Sequence, residues 1–169
     1  MGTPNAGKSS LLYRLYSGIF YERAPKVATQ SIEQARVDNI LLRALNIQEK
    51  KISHDEWNPI ARNAIAIIFV LDVSNDQGIE EGIALYKEIT QLSTISGVPQ
   101  AILGNKIDIR PYFAEVLRDQ FHSRNAWNPK FKPLVFCISV LTTDGLRKSM
   151  DIFMRKSKFS FHIPVFREK

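Results

Sequence analysis

The sequence is poor in cysteine and has no long apolar run, and each of these absences excludes a class of protein. Cys137 is the only cysteine among 169 residues, so a disulfide framework is excluded and a reducing compartment is expected. Its apolar surroundings favour a buried structural thiol over a reactive one. No stretch reaches about 18 apolar residues, which predicts no membrane-spanning helix. The polar, glycine-rich opening predicts no secretory signal peptide.

A concentrated patch of charge is also lacking. The net charge is +6, but the basic residues are scattered, with one cluster at residues 155–158. That cluster is interpreted as a solvated helix end, with a charged docking patch as the alternative. The excess permits weak attraction to an anionic membrane or to nucleic acid, and no nucleic-acid partner is expected.

Apolar runs of strand length alternate with amphipathic helical stretches, which is typical of an α/β sheet with helices on both faces. One domain is predicted over residues 1–158. Residues 159–169 are predicted to form a C-terminal extension, extended or paired as an edge strand, because Pro164 removes a ladder donor. The predicted strands are 31–37, 39–45, 64–71, 100–103 and 133–139, and the predicted helices are 7–16, 78–95, 112–122 and 144–156.

Residues 2–9 match the phosphate-binding pattern G-x-x-x-x-G-K-[ST] in full, directly before an amphipathic helix. Glycines allow successive N–H groups to wrap an anion, and the helix start adds partial positive charge. Lys8 would reach the β- and γ-phosphates, and the Ser9 hydroxyl would ligate Mg²⁺. The predicted phosphate-binding residues are Gly2, Asn5, Ala6, Gly7, Lys8, Ser9 and Ser10.

A phosphate loop of this kind normally follows a central buried strand, and only Met1 precedes this one. Three explanations stay open at this point. The native chain has been shortened, the sheet lacks a central strand, or residues 159–166 fill the slot. Shortening is favoured, because an absent central strand would leave two buried sheet edges unpaired.

A second motif, Asn105-Lys106-Ile107-Asp108, follows a short apolar strand. A carboxylate such as Asp108 can accept bonds from guanine N1–H and the exocyclic amine, a donor pair that adenine lacks. Asn105 can bond the base and tether the phosphate loop, and the Lys106 stem can lie on the purine face. A third segment, Ser139-Val140-Leu141, would offer a backbone N–H to guanine O6, with Ser139 and Val140 as its predicted guanine contacts.

With these motifs, the chain resembles the Arf/Sar/Arf-like family of small GTPases. The resemblance rests on residues 5–12, on the run from Trp57 through Asn63 to the strand ending at Asp72, and on residues 142–146. It implies a P-loop, small G-protein three-layer sandwich of mostly parallel strands, with its first strand missing or replaced. It also implies binding of GTP and GDP with Mg²⁺, and a switch role in membrane traffic. The expected protein is a cytoplasmic monomer, peripheral on intracellular membranes, that contacts effectors through loops 20–33 and 46–58.

The sequence departs from that family where GTP hydrolysis is carried out. The family's D-x-x-G-Q segment is absent, and its spacing from Trp57 falls on residues 46–50. Asn46 replaces the Asp that holds a Mg²⁺ water, Glu49 replaces the Gly, and Lys50 stands where the catalytic Gln is expected. A carboxylate at Glu49 would repel the γ-phosphate, and a charged Lys50 cannot accept a proton from water. Gln48 is a rival for the Gln that breaks the spacing.

Thr29 is the candidate second Mg²⁺ ligand, with Ser31 as a substitute and a plain surface threonine as the alternative. The sequence therefore predicts a guanine-nucleotide switch or scaffold with weak or absent GTP hydrolysis. The alternatives are an active GTPase that depends on a partner and an interaction module that no longer binds nucleotide. An ATP-using P-loop enzyme is disfavoured by Asp108.

Overall fold

The computed structural model describes residues 1–20, 32–45, 63–91, 95, 97–127 and 132–166. Apolar residues spaced for one buried face form four helices in this part of the chain. The helices are α1 (Lys8–Ser17), α2 (Asp76–Thr90), α3 (Ala114–Ser123) and α4 (Leu146–Ser157). The strands are β1 (Ile32–Val37), β2 (Ile40–Leu45), β3 (Ile67–Asp72), β4 (Gln100–Asn105) and β5 (Leu134–Ile138).

Strands β3, β4 and β5 form a parallel sheet in that order, and β1 and β2 form a separate antiparallel hairpin. The parallel strands are apolar on both faces, as expected for strands covered by helices on both sides. Their carboxyl ends lie at one edge of the sheet, where ligands bind in open α/β folds. The predicted class, α/β with a mostly parallel sheet and helices on both faces, is confirmed.

Two apolar clusters fill the two faces of the sheet. On one face, Phe69 and Ile102 of the sheet pack with α2 and α3, where Tyr86 contacts Phe69 and Phe121 edge to face. On the other face, the sheet packs with the buried residues of α1 and α4. Each helix thus buries one apolar stripe, which stabilises the layers by roughly 25 cal/mol per Å² of apolar surface removed from water.

Among the described residues, the outer edge of β3 is paired only in its middle, where the Met1 amino group donates to the Ile68 carbonyl at 2.8 Å. Gly2 forms a parallel bridge with Val70, and the Val70 N–H donates to the Met1 carbonyl at 2.8 Å. A largely apolar groove of about 470 Å³ lies between this edge and β2. Residues 159–166 do not pair with β3, so the hypothesis that they fill the central slot is wrong.

Residues 159–166 form no strand, so the edge-strand alternative is also wrong. The segment is held by side chains instead of a ladder, because Phe161 and Ile163 are buried in the core. Its backbone is engaged by distant side chains: the His162 N–H donates to Asp38 at 2.6 Å, and Arg147 donates to the Pro164 carbonyl at 2.7 Å. The segment therefore ties the turn of the β1–β2 hairpin to α4.

Several predicted boundaries move by a few residues. Helix α2 begins at Asp76 instead of residue 78, because the Asn75 side chain accepts the Gly78 N–H and caps the helix there. It ends at Thr90, short of residue 95.

Cys137 is a free thiol whose burial, with a smaller contribution from Glu115, raises its pKa to about 12, consistent with a structural role. No helix in the described part of the chain has the length and apolar character to cross a membrane.

Candidate functional site

The phosphate loop, residues 2–9, runs from the bridge between Gly2 and Val70 to the start of α1. Gly7 adopts a φ of 94°, and a Cβ placed on it would lie 2.3 Å from the Asn105 amide nitrogen. Asn5 also has a positive φ, 56°, which Asn tolerates better than most residues. No side chain caps the first turn of α1, and that turn contains no acidic residue. The helix start therefore keeps its positive partial charge available for an anion.

Lys8 is buried with its ammonium folded onto the phosphate loop. Its Nζ donates to the Thr3 carbonyl at 2.5 Å, and the side chain lies within Coulombic range of Glu33. Burial lowers the pKa of Lys8 to about 8, although Glu33 acts in the opposite direction. The neighbouring Thr3 hydroxyl is buried and has no hydrogen-bond partner among the described residues. A bound phosphate would pair with the Lys8 ammonium and would accept a hydrogen bond from the Thr3 hydroxyl, so the loop fits a phosphate group.

Ser9, the predicted Mg²⁺ ligand, contacts a carboxylate that the sequence reasoning did not single out. Its hydroxyl donates to Glu33 of β1 at 2.8 Å. No cluster of His, Cys, Asp or Glu that could hold a metal by itself occurs in the described ranges. A hydroxyl beside a carboxylate is nevertheless the oxygen donor set that Mg²⁺ prefers when phosphates supply further ligands. The residues present therefore fit Mg²⁺ bound together with a nucleotide.

Asn105, at the end of β4, joins three segments that are far apart in sequence. Its amide nitrogen donates to the Ala6 carbonyl of the phosphate loop at 2.8 Å. Its amide oxygen accepts the Val140 N–H at 3.0 Å. The predicted tether from Asn105 to the phosphate loop is confirmed, and the side chain is almost fully buried. One amide thus fixes the phosphate loop, the N-K-x-D motif and the turn after β5 to one another.

Lys106 and Asp108 complete the N-K-x-D motif at the sheet edge. The Lys106 ammonium pairs with Asp72, at the end of β3, at 2.5 Å. Burial alone would raise the pKa of Asp72, but hydrogen bonds from Lys106 and Ser74 hold it below its ordinary value. This pair anchors the Lys106 stem, which was predicted to lie on the purine face. Asp108 is exposed at the same edge, where its carboxylate is open to a ligand.

The turn at residues 139–142, after β5, carries the remaining predicted base contacts. The Ser139 hydroxyl accepts the Thr142 N–H at 3.0 Å, and the Ser139 N–H donates to the Asp144 carbonyl. The Val140 N–H is already used by Asn105, although Val140 was predicted as a guanine contact. In the described part of the chain, the Leu141 N–H is the backbone donor of this turn that has no acceptor. Leu141 is therefore the better candidate for a bond to O6.

Arg14 of α1 was missed from the sequence and lies directly behind that turn. Its guanidinium is almost fully buried and donates to the carbonyls of Val140, Leu141 and Gly18 at 3.2, 2.5 and 3.1 Å. The signal was available, because Arg14 occupies an i+3 position on the stripe that begins at Leu11. A charged residue on a buried stripe requires partners in the interior.

Some predicted site residues lie outside the described residues. They are the metal candidate Thr29 with its substitute Ser31, Lys50 at the catalytic position, and its neighbours Asn46, Gln48 and Glu49. Most of the predicted effector loops, 20–33 and 46–58, also lie outside. The described ranges bring together the phosphate loop, the N-K-x-D motif and the 139–142 turn.

Comparison with known proteins agrees with this assembly. The model of the Arf family, described as the ADP-ribosylation factor family, matches residues 1–157. ADP-ribosylation factor-like protein 4D of Homo sapiens is 30% identical over 113 residues, which cover 64% of this chain and 56% of that protein. ADP-ribosylation factor-like protein 8c of Arabidopsis thaliana is 23% identical over 108 residues, covering 64% and 59%.

A longer alignment is found with ADP-ribosylation factor-like protein 4A of Homo sapiens. It is 24% identical over 168 residues, which cover 94% of this chain and 83% of that protein. The alignments with proteins 4D and 8c, in contrast, span less than two thirds of the length of those relatives.

Proposed function

Because the chain belongs to the ADP-ribosylation factor family, we propose that it is an Arf-like molecular switch that binds GTP and GDP with Mg²⁺ and hydrolyses GTP weakly or not at all. We place it in the cytoplasm as a monomer that associates with intracellular membranes and acts in membrane traffic. Effectors and regulators would contact loops 20–33 and 46–58.

The single observation that carries nucleotide binding is the double contact of Asn105. An amide that joins Ala6 to Val140 keeps a phosphate-binding loop and two base-contacting segments at fixed separations. Such preorganisation reduces the entropy that a ligand must overcome on binding. Asp108 would select guanine, since two of its acceptor positions match donors that adenine lacks.

Three residues outside the described ranges favour weak GTP hydrolysis. Small GTPases orient the attacking water with a Gln, and this chain has Lys50 at that spacing. Asn46 removes the carboxylate that would hold a Mg²⁺-bound water, and Glu49 adds a charge of the same sign as the γ-phosphate. Mg²⁺ would neutralise phosphate charge in the bound state, with Ser9 as its ligand from this chain.

The first experiment identifies the nucleotide released from freshly purified, denatured protein and follows single-turnover GTP hydrolysis. We expect guanine nucleotide at near-stoichiometric amounts and hydrolysis well below the intrinsic rate of an active small GTPase, which is on the order of 10⁻⁴ s⁻¹. Hydrolysis at that rate by the protein alone would refute the weak-hydrolysis part. Acceleration by cell extract would favour a partner-dependent GTPase. Absence of any nucleotide, with no binding when Mg²⁺ and GDP are added back, would refute the binding part.

Guanine selectivity by Asp108 predicts a change of base preference. The variant Asp108→Asn should weaken GDP binding by at least about tenfold, because an amide offers one acceptor where the carboxylate offers two. Binding of xanthosine diphosphate, which carries an acceptor in place of the exocyclic amine, should improve. Unchanged GDP preference, measured by competition against a fluorescent nucleotide, would contradict this role.

A further inference from the structure

The buried guanidinium of Arg14 donates hydrogen bonds to the backbone of the turn after β5. Its side chain is 1% exposed, and its three nitrogens donate to three carbonyls: Nε to Val140, Nη2 to Leu141 and Nη1 to Gly18. The guanidinium also lies over the rings of Phe20 and Phe166, at 5.5 and 5.8 Å from their centroids. A buried cation is costly unless it is paired in this way, so the arrangement fixes Arg14 and its acceptors together.

Because the peptide bond is planar, the contact of Arg14 with the Val140 carbonyl also fixes the direction of the next backbone N–H. The Val140 carbonyl and the Leu141 N–H belong to one planar, trans peptide unit and point in opposite directions. When Arg14 holds the carbonyl oxygen at 3.2 Å, it therefore sets the direction of the Leu141 N–H. That N–H is the backbone donor of the 139–142 turn that has no acceptor in the described part of the chain.

The peptide units on either side are fixed as well. The preceding unit is held because the Val140 N–H donates to Asn105, itself joined to the phosphate loop. The following peptide unit is held at both ends, because Arg14 donates to the Leu141 carbonyl and the Thr142 N–H donates to the Ser139 hydroxyl oxygen. A rigid backbone around one open donor is the arrangement that a specific hydrogen bond to a ligand requires.

We propose that Arg14 is a positioning residue for base recognition, which aims the Leu141 N–H at the oxygen on C6 of a bound purine. This inference rests on the proposed guanine-nucleotide function and adds to it a residue that does not touch the ligand. Arg14 acts on the discrimination of the C6 substituent. Asp108 acts on the N1–H and the amine at C2.

Base analogues separate these two contacts. In 6-thio-GDP, sulfur, a weak acceptor, replaces O6 while N1–H and the C2 amine remain. Inosine diphosphate keeps O6 and lacks the amine. The wild-type protein should bind GDP about tenfold more tightly than 6-thio-GDP, since it loses one hydrogen bond with the analogue. In Arg14→Lys, which keeps the charge but loses the three-pronged contact, this ratio should fall to about two or less.

The preference of Arg14→Lys for GDP over inosine diphosphate should stay at the wild-type value, because Asp108 is unaltered. Arg147→Lys is the matched control. Arg147 contacts the Pro164 carbonyl and the Phe166 ring, yet it touches no carbonyl of the 139–142 turn. Its two base preferences should both equal those of the wild type. A circular-dichroism melt of each variant establishes that the protein is folded.

A second measurement uses the wild-type protein and does not depend on the folding of a variant. The Leu141 amide resonance should shift strongly with GDP and much less with 6-thio-GDP. A shift of the Val140 amide in its place would overturn the inference, as would an unchanged GDP to 6-thio-GDP ratio in folded Arg14→Lys. Equal weakening of all three nucleotides would overturn it too, because it indicates a structural role alone. In these three outcomes the proposed function stands, whereas failure of the wild-type protein to bind GDP would remove both.

Discussion

Burial of Lys8 makes the stability of the fold around the phosphate loop depend on pH. Its pKa is lowered to about 8 because the ammonium is buried, and the fold therefore binds the proton less tightly than the unfolded chain does. Between pH about 8 and about 10.5, the unfolded chain holds more protons at this site. The contribution of Lys8 to the free energy of unfolding thus increases with pH across that window.

An anionic phosphate beside Lys8 would reverse this shift. We expect GDP binding at pH 8.5 to take up a fraction of a proton, and GDP affinity to fall as pH rises through 8, because the bound state raises the pKa of Lys8. Isothermal titration calorimetry in buffers of different ionisation enthalpy measures the uptake. In Lys8→Arg the side chain stays charged, so the uptake should vanish. Equal uptake in both proteins would show that another group is responsible.

Glu33 places a carboxylate beside the phosphate loop, 2.8 Å from the Ser9 hydroxyl. Without a cation between them, this carboxylate and the nucleotide phosphates repel each other. The variant Glu33→Gln should therefore raise GDP affinity in EDTA by about tenfold, which corresponds to ~1.4 kcal/mol. The gain in saturating Mg²⁺ should be smaller. A loss of affinity in EDTA would contradict the expectation, and Glu80→Gln, at an exposed residue of α2, provides the control.

Glu33 and Arg14 illustrate what the sequence could not provide at this scale. The motif at residues 2–9 predicts phosphate-binding roles for Lys8, Ser9 and Gly7, because the pattern itself encodes phosphate chemistry. Glu33 reaches Ser9 only through the placement of β1 beside α1, which is tertiary and leaves no trace in local spacing. The N–H of Val140 seemed open from the sequence, since its use by Asn105 depends on a contact across 35 residues.

At the scale of elements, the segment 159–166 behaves as part of the core although it is not a strand. Phe159 lies edge to face with Phe153 of α4, and Phe161 is 7% exposed in the same apolar cluster. The alternating apolar residues have a buried side, because Phe161 and Ile163 lie in the core. They do not imply a ladder, because Pro164 cannot donate and because Arg147 and Asp38 take backbone groups of the segment.

The variant Phe161→Ala should lower the free energy of unfolding by about 3 kcal/mol, since it removes a buried aromatic side chain and leaves a cavity. Val165→Ala is the control, because Val165 is 72% exposed and its truncation should change stability by less than about 0.5 kcal/mol. Urea denaturation measures both. Similar effects of the two substitutions would mean that the segment is not packed as described.

The helices and the parallel strands were predictable from their periodicity, and their boundaries were less so. Asn75 explains one such error: its side-chain cap starts α2 ahead of Gly78, whose place in the first turn brings it close to the Asp72 carbonyl. The hairpin turn lies at Asp38-Asn39, where the predicted strands 31–37 and 39–45 meet, and the left-handed φ of Asp38 suits that residue type.

At the scale of the whole molecule, binding and folding are linked, because the site is built from the ends of β4 and β5 and the start of α1. A ligand that binds only the folded state at 100 times its Kd stabilises it by about 2.7 kcal/mol. We therefore expect GDP with Mg²⁺ to raise the Tm by roughly 5–10 °C at that concentration. ATP at the same concentration should leave the Tm unchanged, and an equal shift with ATP would contradict guanine selectivity.

The two-sided contact of Asn105 has a thermodynamic consequence for ligands that fill only part of the site. Its amide nitrogen binds the phosphate loop and its amide oxygen binds the 139–142 turn, so ordering one segment orders the other. Coupling of this kind is reciprocal. Guanosine and pyrophosphate should therefore bind cooperatively as separate molecules, each raising the affinity of the protein for the other by the same factor.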